Sequence, residues 1–529
     1  MQRSHPSYLR TTPSSFVLAV FMLAGLNTFA IFFNGAYFLN AMTLCIVGSW
    51  VIVLALIFFN SGEFLASFRK EQWLVFGIAF AFWLWVGLSM IWSISRDATW
   101  IEFNRTGGYL AVFAAGMAIG RYRFSRRLAV FLFLITVTAA AVYGLGPKTF
   151  PQLIENLDNL SRIAVPIGYT NAMGLLLAMG YIISIYLSTV RDFHWVLRLF
   201  SVLAAPLILT CLFFTNSRGA LLALLTGLVI YYVVTPVRLR SFGVMMLSFF
   251  PVTLISTWSN GQNALMMNSI PVEERQLAAI PLRLYLLISV ITAGAVFSIF
   301  IILGGKFKFP SVIKKIAGAT ILSSISISII VIVTLAISSL PSFGDWAGDA
   351  YQRFRYGMPS TYGAARLLEM STSGRWLFWE EAMSNFQDNP ILGTGGQSFP
   401  IVHLMRRENE VFVKQPHSHP FQLLTELGLV GYIIGMAFIA VSLACCTLLL
   451  CKLQNRWDRA LAGAILSVIV VYLIHAAYEW DWNLFGLTMV WYLFTGILMG
   501  WLAVVQQDAG IKQNSDLSDP VSHVSGKPS

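Results

Sequence analysis

Apolar residues run along this chain in blocks of roughly twenty, parted by short polar connections that hold most of the lysines and arginines. With a rise of about 1.5 Å per residue, a helix of that length crosses the roughly 30 Å hydrocarbon layer of a bilayer. Fourteen blocks are legible, at approximately 15–34, 41–60, 72–92, 108–120, 128–145, 168–189, 196–215, 218–235, 241–258, 282–304, 316–340, 421–450, 460–479 and 484–505. The fourth is short and the twelfth long, so a broken or tilted segment is expected at each. The pattern predicts an all-α, polytopic transmembrane helical bundle of about fourteen spans.

Basic residues fall in every second connection: Arg3 and Arg10; Arg69 and Lys70; Arg121, Arg123, Arg126 and Arg127; Arg191 and Arg198; Arg238 and Arg240; Lys306, Lys308, Lys314 and Lys315; then Lys452, Arg456 and Arg459. Short positively charged loops are retained on the cytoplasmic side, so an even number of spans places both termini there. On the other side one connection, from about Ser339 to Pro420, is far longer than the rest, and loops of that length are either functional or disordered. Between Gly374 and Asn389 its apolar residues Trp376, Leu377, Trp379, Ala382, Met383 and Phe386 recur at three- and four-residue spacing, which predicts an amphipathic helix along the membrane surface. Asn389-Pro390 stops that helix, and Gly393-Thr394-Gly395-Gly396 reads as a flexible turn. The chain divides into N-terminal transmembrane helices over 1–340, a folded external loop over 341–420, C-terminal transmembrane helices over 421–505 and a polar, disordered cytoplasmic tail over 506–529.

Composition agrees and excludes other classes. With 57% hydrophobic and 11% charged residues, the chain cannot cover a water-soluble surface. The net charge of +11 is spread over alternate connections, with no basic domain for nucleic acid. The first apolar block has no small-residue cleavage site and reads as a retained helix. Cysteines 45, 211, 445, 446 and 451 lie within or at the ends of blocks, without metal-type spacing.

Four polar elements gather on the outer side. Arg218, in Thr215-Asn216-Ser217-Arg218-Gly219-Ala220, is either an interfacial anchor or a fixed guanidinium for phosphate oxygens. Arg375 opens the amphipathic helix, where a cation opposes the helix dipole unless an anion lies between them; an ordinary solvated charge is the other reading. His417, at the rim of the twelfth block, is either a polar helix cap or a general base for a sugar hydroxyl, with His419 in reserve. His475, Glu479 and Asp481 with Trp480 and Trp482 form either an aromatic interfacial belt or a sugar-binding edge. No Walker motif, His-Glu-x2-His, Gly-x-Ser-x-Gly or Asp-x-Asp pair competes, so no metal or other cofactor is expected.

Thr215-Asn216-Ser217-Arg218-Gly219-Ala220, Gly374-Arg375 with Trp379 and Asn389-Pro390-Ile391-Leu392-Gly393-Thr394-Gly395, and His417-Ser418-x9-Gly428-x2-Gly431 resemble the successive signatures of the O-antigen ligase and polymerase superfamily. The resemblance is closest over about 205–435. Asn104-Arg105, read as an outer loop, and Gly168-Tyr169-Thr170-Asn171 also resemble the family, without roles. It implies a GT-C-like glycosyltransferase of the bacterial cytoplasmic (inner) membrane, active on the outer face, that moves a glycan from undecaprenyl diphosphate to an acceptor hydroxyl. Arg218 and Arg375 match the residues placed around the lipid diphosphate, and His417 matches the proposed base; Arg105, His419, Glu479, Trp480, Asp481 and Trp482 are candidates for glycan or acceptor binding. A glycolipid acceptor implies a ligase, a growing glycan a polysaccharide polymerase of the Wzy type, and a protein hydroxyl an O-oligosaccharyltransferase. The reading from another class is a lipid-linked glycan transporter or flippase, which places its charges at mid-depth.

Overall fold

The computed structural model describes residues 12–153, 161–303, 373–408 and 410–518, with helical positions 316, 319, 348 and 351–355 between them. Among the described residues every regular element is helical. The N-terminal helices are α1 (Ser14–Phe32), α2 (Leu39–Leu65), α3 (Lys70–Leu88), α4 (Arg96–Ile119), α5 (Arg123–Thr149), α6 (Thr170–Thr189), α7 (Trp195–Thr215), α8 (Arg218–Val234), α9 (Arg238–Asn260) and α10 (Val272–Leu303). After the long connection come α11 (Arg375–Asp388), α12 (Phe399–Arg406), α13 (His419–Lys452), α14 (Arg456–Ala476) and α15 (Phe485–Ser518).

Eleven of the described helices are long and apolar enough to cross a membrane, so the count of fourteen is not reproduced. Two of the expected blocks correspond to helices outside that set. One is α8, seventeen residues long; the other is α4, whose first half holds Arg96, Asp97, Glu102 and Arg105. Those polar residues hid the start of α4 from the apolar pattern. Asn104 and Arg105 therefore lie inside a helix and not in an outer loop. The expected block at 316–340 falls outside the described residues. The long twelfth block is a single helix, α13, interrupted at Gly428, where φ is 66° and ψ −169°. The last helix continues to Ser518, beyond the expected boundary at 506.

The bundle has a clear inside. Helix α6 is buried along its whole length and α15 along nearly all of its apolar part, whereas α3, α9 and α10 leave most of their apolar side chains uncovered. Inner helices buried all round and outer helices with an uncovered apolar face are what a lipid-embedded bundle requires. Helices α4 and α15 meet through small residues: Gly116 and Gly120 face Gly496 and Gly500, and a Cβ at Gly500 would collide with the carbonyl of Met117. Such spacing lets helix backbones touch and sum dispersion contacts where no hydrophobic force acts between helices in lipid.

The segment that follows the long connection is held to the bundle by backbone and side-chain hydrogen bonds. Helix α11 buries Phe378, Ala382 and Asn385, and Phe378 and Ala382 cluster with Phe399 and Val402 of α12. Asn385 Nδ2 donates to Thr425 Oγ1 at 2.9 Å and to the Thr425 carbonyl at 3.1 Å. Gly395 N donates to the Glu426 carbonyl at 2.7 Å, and Leu429 N to the Pro390 carbonyl at 2.8 Å. The interruption at Gly428 frees these carbonyl and amide groups for pairing. Thr99 Oγ1 also donates to the Gly396 carbonyl at 2.8 Å. The glycine-rich turn expected to be flexible is thus a strap fastened to α4 and α13.

Candidate active site

Three local structures present the polar side chains. Asn216 ends α7 in the left-handed region, and Ser217 caps α8 by accepting from Ala220 N at 3.2 Å, which makes Arg218 the first residue of α8. Gly374, at φ 81°, plays the corresponding part for α11 and makes Arg375 its first residue. His417 lies at φ 53°, just before α13. A left-handed conformation at a non-glycine residue costs about 1 kcal/mol and aims the imidazole away from the helix that follows.

Arg375 and His417 meet at Glu479, which is 1% exposed and lies in the turn between α14 and α15. Its carboxylate is paired with the Arg375 guanidinium. It accepts from Asn171 Nδ2 at 2.6 Å and from Tyr169 OH at 2.8 Å, and its Oε2 lies 3.3 Å from His417 Nδ1. Arg218 Nη2 donates to Ser373 Oγ at 3.2 Å, two residues before Arg375. The motif Gly168-Tyr169-Thr170-Asn171, which carried no role in the sequence, thereby supplies two donors to this carboxylate. Arg162 extends the set, with Nη2 2.9 Å from Asn171 Oδ1 and Nε 2.8 Å from the Thr215 carbonyl. A lone arginine in a connection has no sequence signal, and Arg162 was not foreseen.

The electrostatics follow from burial and charge. Burial works to raise the pKa of Glu479, yet Arg375 and then His417 outweigh it and hold the carboxyl well below the usual range. Burial likewise works against the charged form of Arg375, and Glu479 outweighs it, so the guanidinium holds its proton more firmly than usual. With hydrogen on Nδ1 donated to Glu479, the imidazole of His417 has Nε2 as its basic nitrogen. Arg375 is thus paired with the Glu479 carboxylate, Arg162 reaches the same carboxylate's partner Asn171, and Arg218 stands beside Ser373. The arrangement places guanidinium groups and an imidazole side by side at one rim of the bundle.

The expected sugar-binding edge is corrected. Trp480 stays near the site, with its ring 4.9 Å from Tyr169 and 6.4 Å from His417. Asp481 points inward and pairs with His475 Nδ1 at 2.6 Å, both side chains fully buried. Burial raises the Asp481 pKa against the opposing effect of His475. Trp482 is buried too; its Nε1 donates to Glu102 Oε1 at 2.7 Å, and Glu102 is also paired with Arg105. His419 stacks on Trp482, centroids 4.4 Å apart. Arg105, His419, Asp481 and Trp482 are thus buried among one another in the structure, unlike Trp480. Among the described residues no group of three or more His, Cys, Asp or Glu could hold a metal ion.

The fold and this rim of convergent charge define a multi-pass helical membrane protein with a polar site at one end of the bundle. Residues 283–436 match the O-antigen ligase family, and over that stretch the chain is similar to it. The matched stretch includes Arg375, the strap and His417; it begins after Arg218 and ends before Glu479. No curated protein matches the chain.

Proposed function

We propose that the protein is a glycosyltransferase of the bacterial inner membrane, with both termini cytoplasmic and the site on the outer face. It moves a glycan from undecaprenyl diphosphate to an acceptor hydroxyl without a metal ion, in the manner of an O-antigen ligase. The observation that carries this is that Arg375 and His417 both pair with Glu479, with Arg218 bonded to Ser373, two residues before Arg375. Arg218 and Arg375 bind the diphosphate; Arg375 has five N–H donors and can serve it while paired with Glu479. The acceptor oxygen attacks the anomeric carbon, the bond to the diphosphate oxygen breaks, and the diphosphate leaves with the electron pair. His417 Nε2 takes the acceptor proton, while Glu479 orients the ring and stabilises the imidazolium. A single in-line displacement inverts the anomeric centre.

Transfer to a growing glycan or to a protein hydroxyl would use the same chemistry. Transport is less well supported: the buried Glu102 is taken up by Arg105 and Trp482, and Glu426 accepts from Gln397 N at 2.8 Å and Phe399 N at 3.3 Å, so both carboxylates have structural partners.

The test is glycan transfer from undecaprenyl diphosphate by the purified chain in the presence of a chelator, with glycolipid, glycan and peptide acceptors in parallel. Transfer by the parent, and its loss in Arg218→Ala, Arg375→Ala and His417→Ala at equal folded yield, is the expected result. Absence of transfer to every acceptor would overturn the reading.

A further inference from the structure

The opposite end of the bundle carries a second gathering of charge. Helix α7 runs from Trp195 to the site-side turn at Asn216, α8 runs away from Arg218, and α14 runs from Arg456 toward Glu479. The starts of α7, α9 and α14 therefore share the end remote from Glu479, and α7, with 21 residues, separates the two ends by about 30 Å. There Arg456 lies over the Trp457 ring at 4.4 Å and Arg240 lies 6.0 Å from the same ring centroid. Arg191 and Arg198 stand at the same end, just before α7 and in its first turn. Arg198 is held by its Nε–H donating to the Ser188 carbonyl at 3.1 Å, and by the Phe297 ring 5.3 Å away.

Four guanidinium groups from separate segments repel one another unless an anion joins them. Of the nearby carboxylates, Asp192 is bonded by Arg123 and Arg127, each at 2.9 Å, and Asp458 has Arg123 at 3.7 Å. Retention of positive loops explains why basic residues occur in these connections, but it acts on each connection separately and needs no convergence in space. Apolar side chains beside the cluster, Trp195, Val196, Val233 and Leu239, are exposed. A charged group flanked by exposed apolar surface and an indole suits an amphiphile at the bilayer border.

We propose that Arg191, Arg198, Arg240 and Arg456 around Trp457 bind the phosphate of an anionic glycerophospholipid in the leaflet remote from the candidate active site. The phosphodiester lies among the guanidinium groups, and the acyl chains run along Val233 and Leu239. This site is independent of the glycosyl-transfer reading.

The test uses the full chain in neutral detergent, with the thermal midpoint followed as phosphatidylglycerol, undecaprenyl phosphate or inorganic phosphate is added. The expected result is a saturable rise of about 3 °C with phosphatidylglycerol, absent with inorganic phosphate and weakened by salt. Arg240→Gln with Arg456→Gln removes the rise, and Arg459→Gln, outside the cluster, retains it. If the double variant does not fold, Arg191→Gln alone halves the response or more. An undiminished rise in these variants, or an equal rise with inorganic phosphate, overturns the site. A rise with undecaprenyl phosphate alone overturns the assignment to a glycerophospholipid.

Discussion

Nδ1 of His417 lies 3.3 Å from Oε2 of Glu479, although 62 residues separate them. The carboxylate that orients the imidazole is also the partner of Arg375, so the candidate base and the candidate diphosphate ligand are mechanically linked.

If Glu479 acts through His417, the two should not contribute independently. His417→Ala is expected to lower kcat by about 10²- to 10⁴-fold with donor affinity little changed. Glu479→Gln lowers it by less, and the double variant is no slower than His417→Ala alone. Single-turnover transfer rates for the three variants check this; strictly multiplicative losses would break the link.

Arg218 and Arg375 are expected to act on donor binding. A charge-assisted hydrogen bond contributes about 1.5–3 kcal/mol, so Arg218→Ala and Arg375→Ala each weaken binding of the lipid diphosphate roughly ten- to a hundredfold. Lysine restores charge without the guanidinium fork and recovers only part of the loss. Titration with undecaprenyl diphosphate in nanodiscs, read by competition, measures it.

Glu479 also makes stability depend on pH. Its folded pKa is depressed by Arg375 and His417 against the effect of burial, so its contribution is fully present above the unfolded carboxylate value of about 4.3 and is lost as pH falls below it. The parent is expected to melt above Glu479→Gln at pH 7, with the gap starting to narrow below about pH 5 and narrowing further as pH falls toward the depressed folded pKa. Melting of the two proteins across that range decides it, and their comparison cancels the opposite tendency of Asp481.

The strap depends on backbone that only glycine tolerates. A Cβ at Gly393, where φ is 65°, would stand 2.5 Å from the Glu426 carbonyl carbon, and one at Gly428 would overlap the Ile391 carbonyl. Gly393→Ala and Gly428→Ala are each expected to destabilise by more than about 2 kcal/mol. Gly77→Ala, inside α3 with nothing within 4 Å of the added methyl, is neutral or stabilises by up to about 1 kcal/mol. Thermal midpoints of the three variants measure the contrast.

Periodicity and length alone determined that the chain is an all-helical membrane bundle with one long connection, because a lipid solvent demands apolar blocks of a set length wherever a helix crosses. They also located the helix of residues 375–388, whose apolar spacing is local. They missed the first half of α4, where Glu102 and Arg105 make a buried helix look like a polar loop. Motif resemblance picked out Arg218, Arg375 and His417 one at a time, and left Tyr169 and Asn171 without roles. Only the tertiary structure decided that Arg375 and His417 meet at Glu479, that Asp481 and Trp482 turn inward, and that Arg105 pairs with Glu102. The reason is physical. A sequence pattern reports which face of one helix is apolar, but which helices touch is set by side chains and glycine gaps that interlock across hundreds of residues, as Trp482 does with Glu102 and Gly500 with Met117.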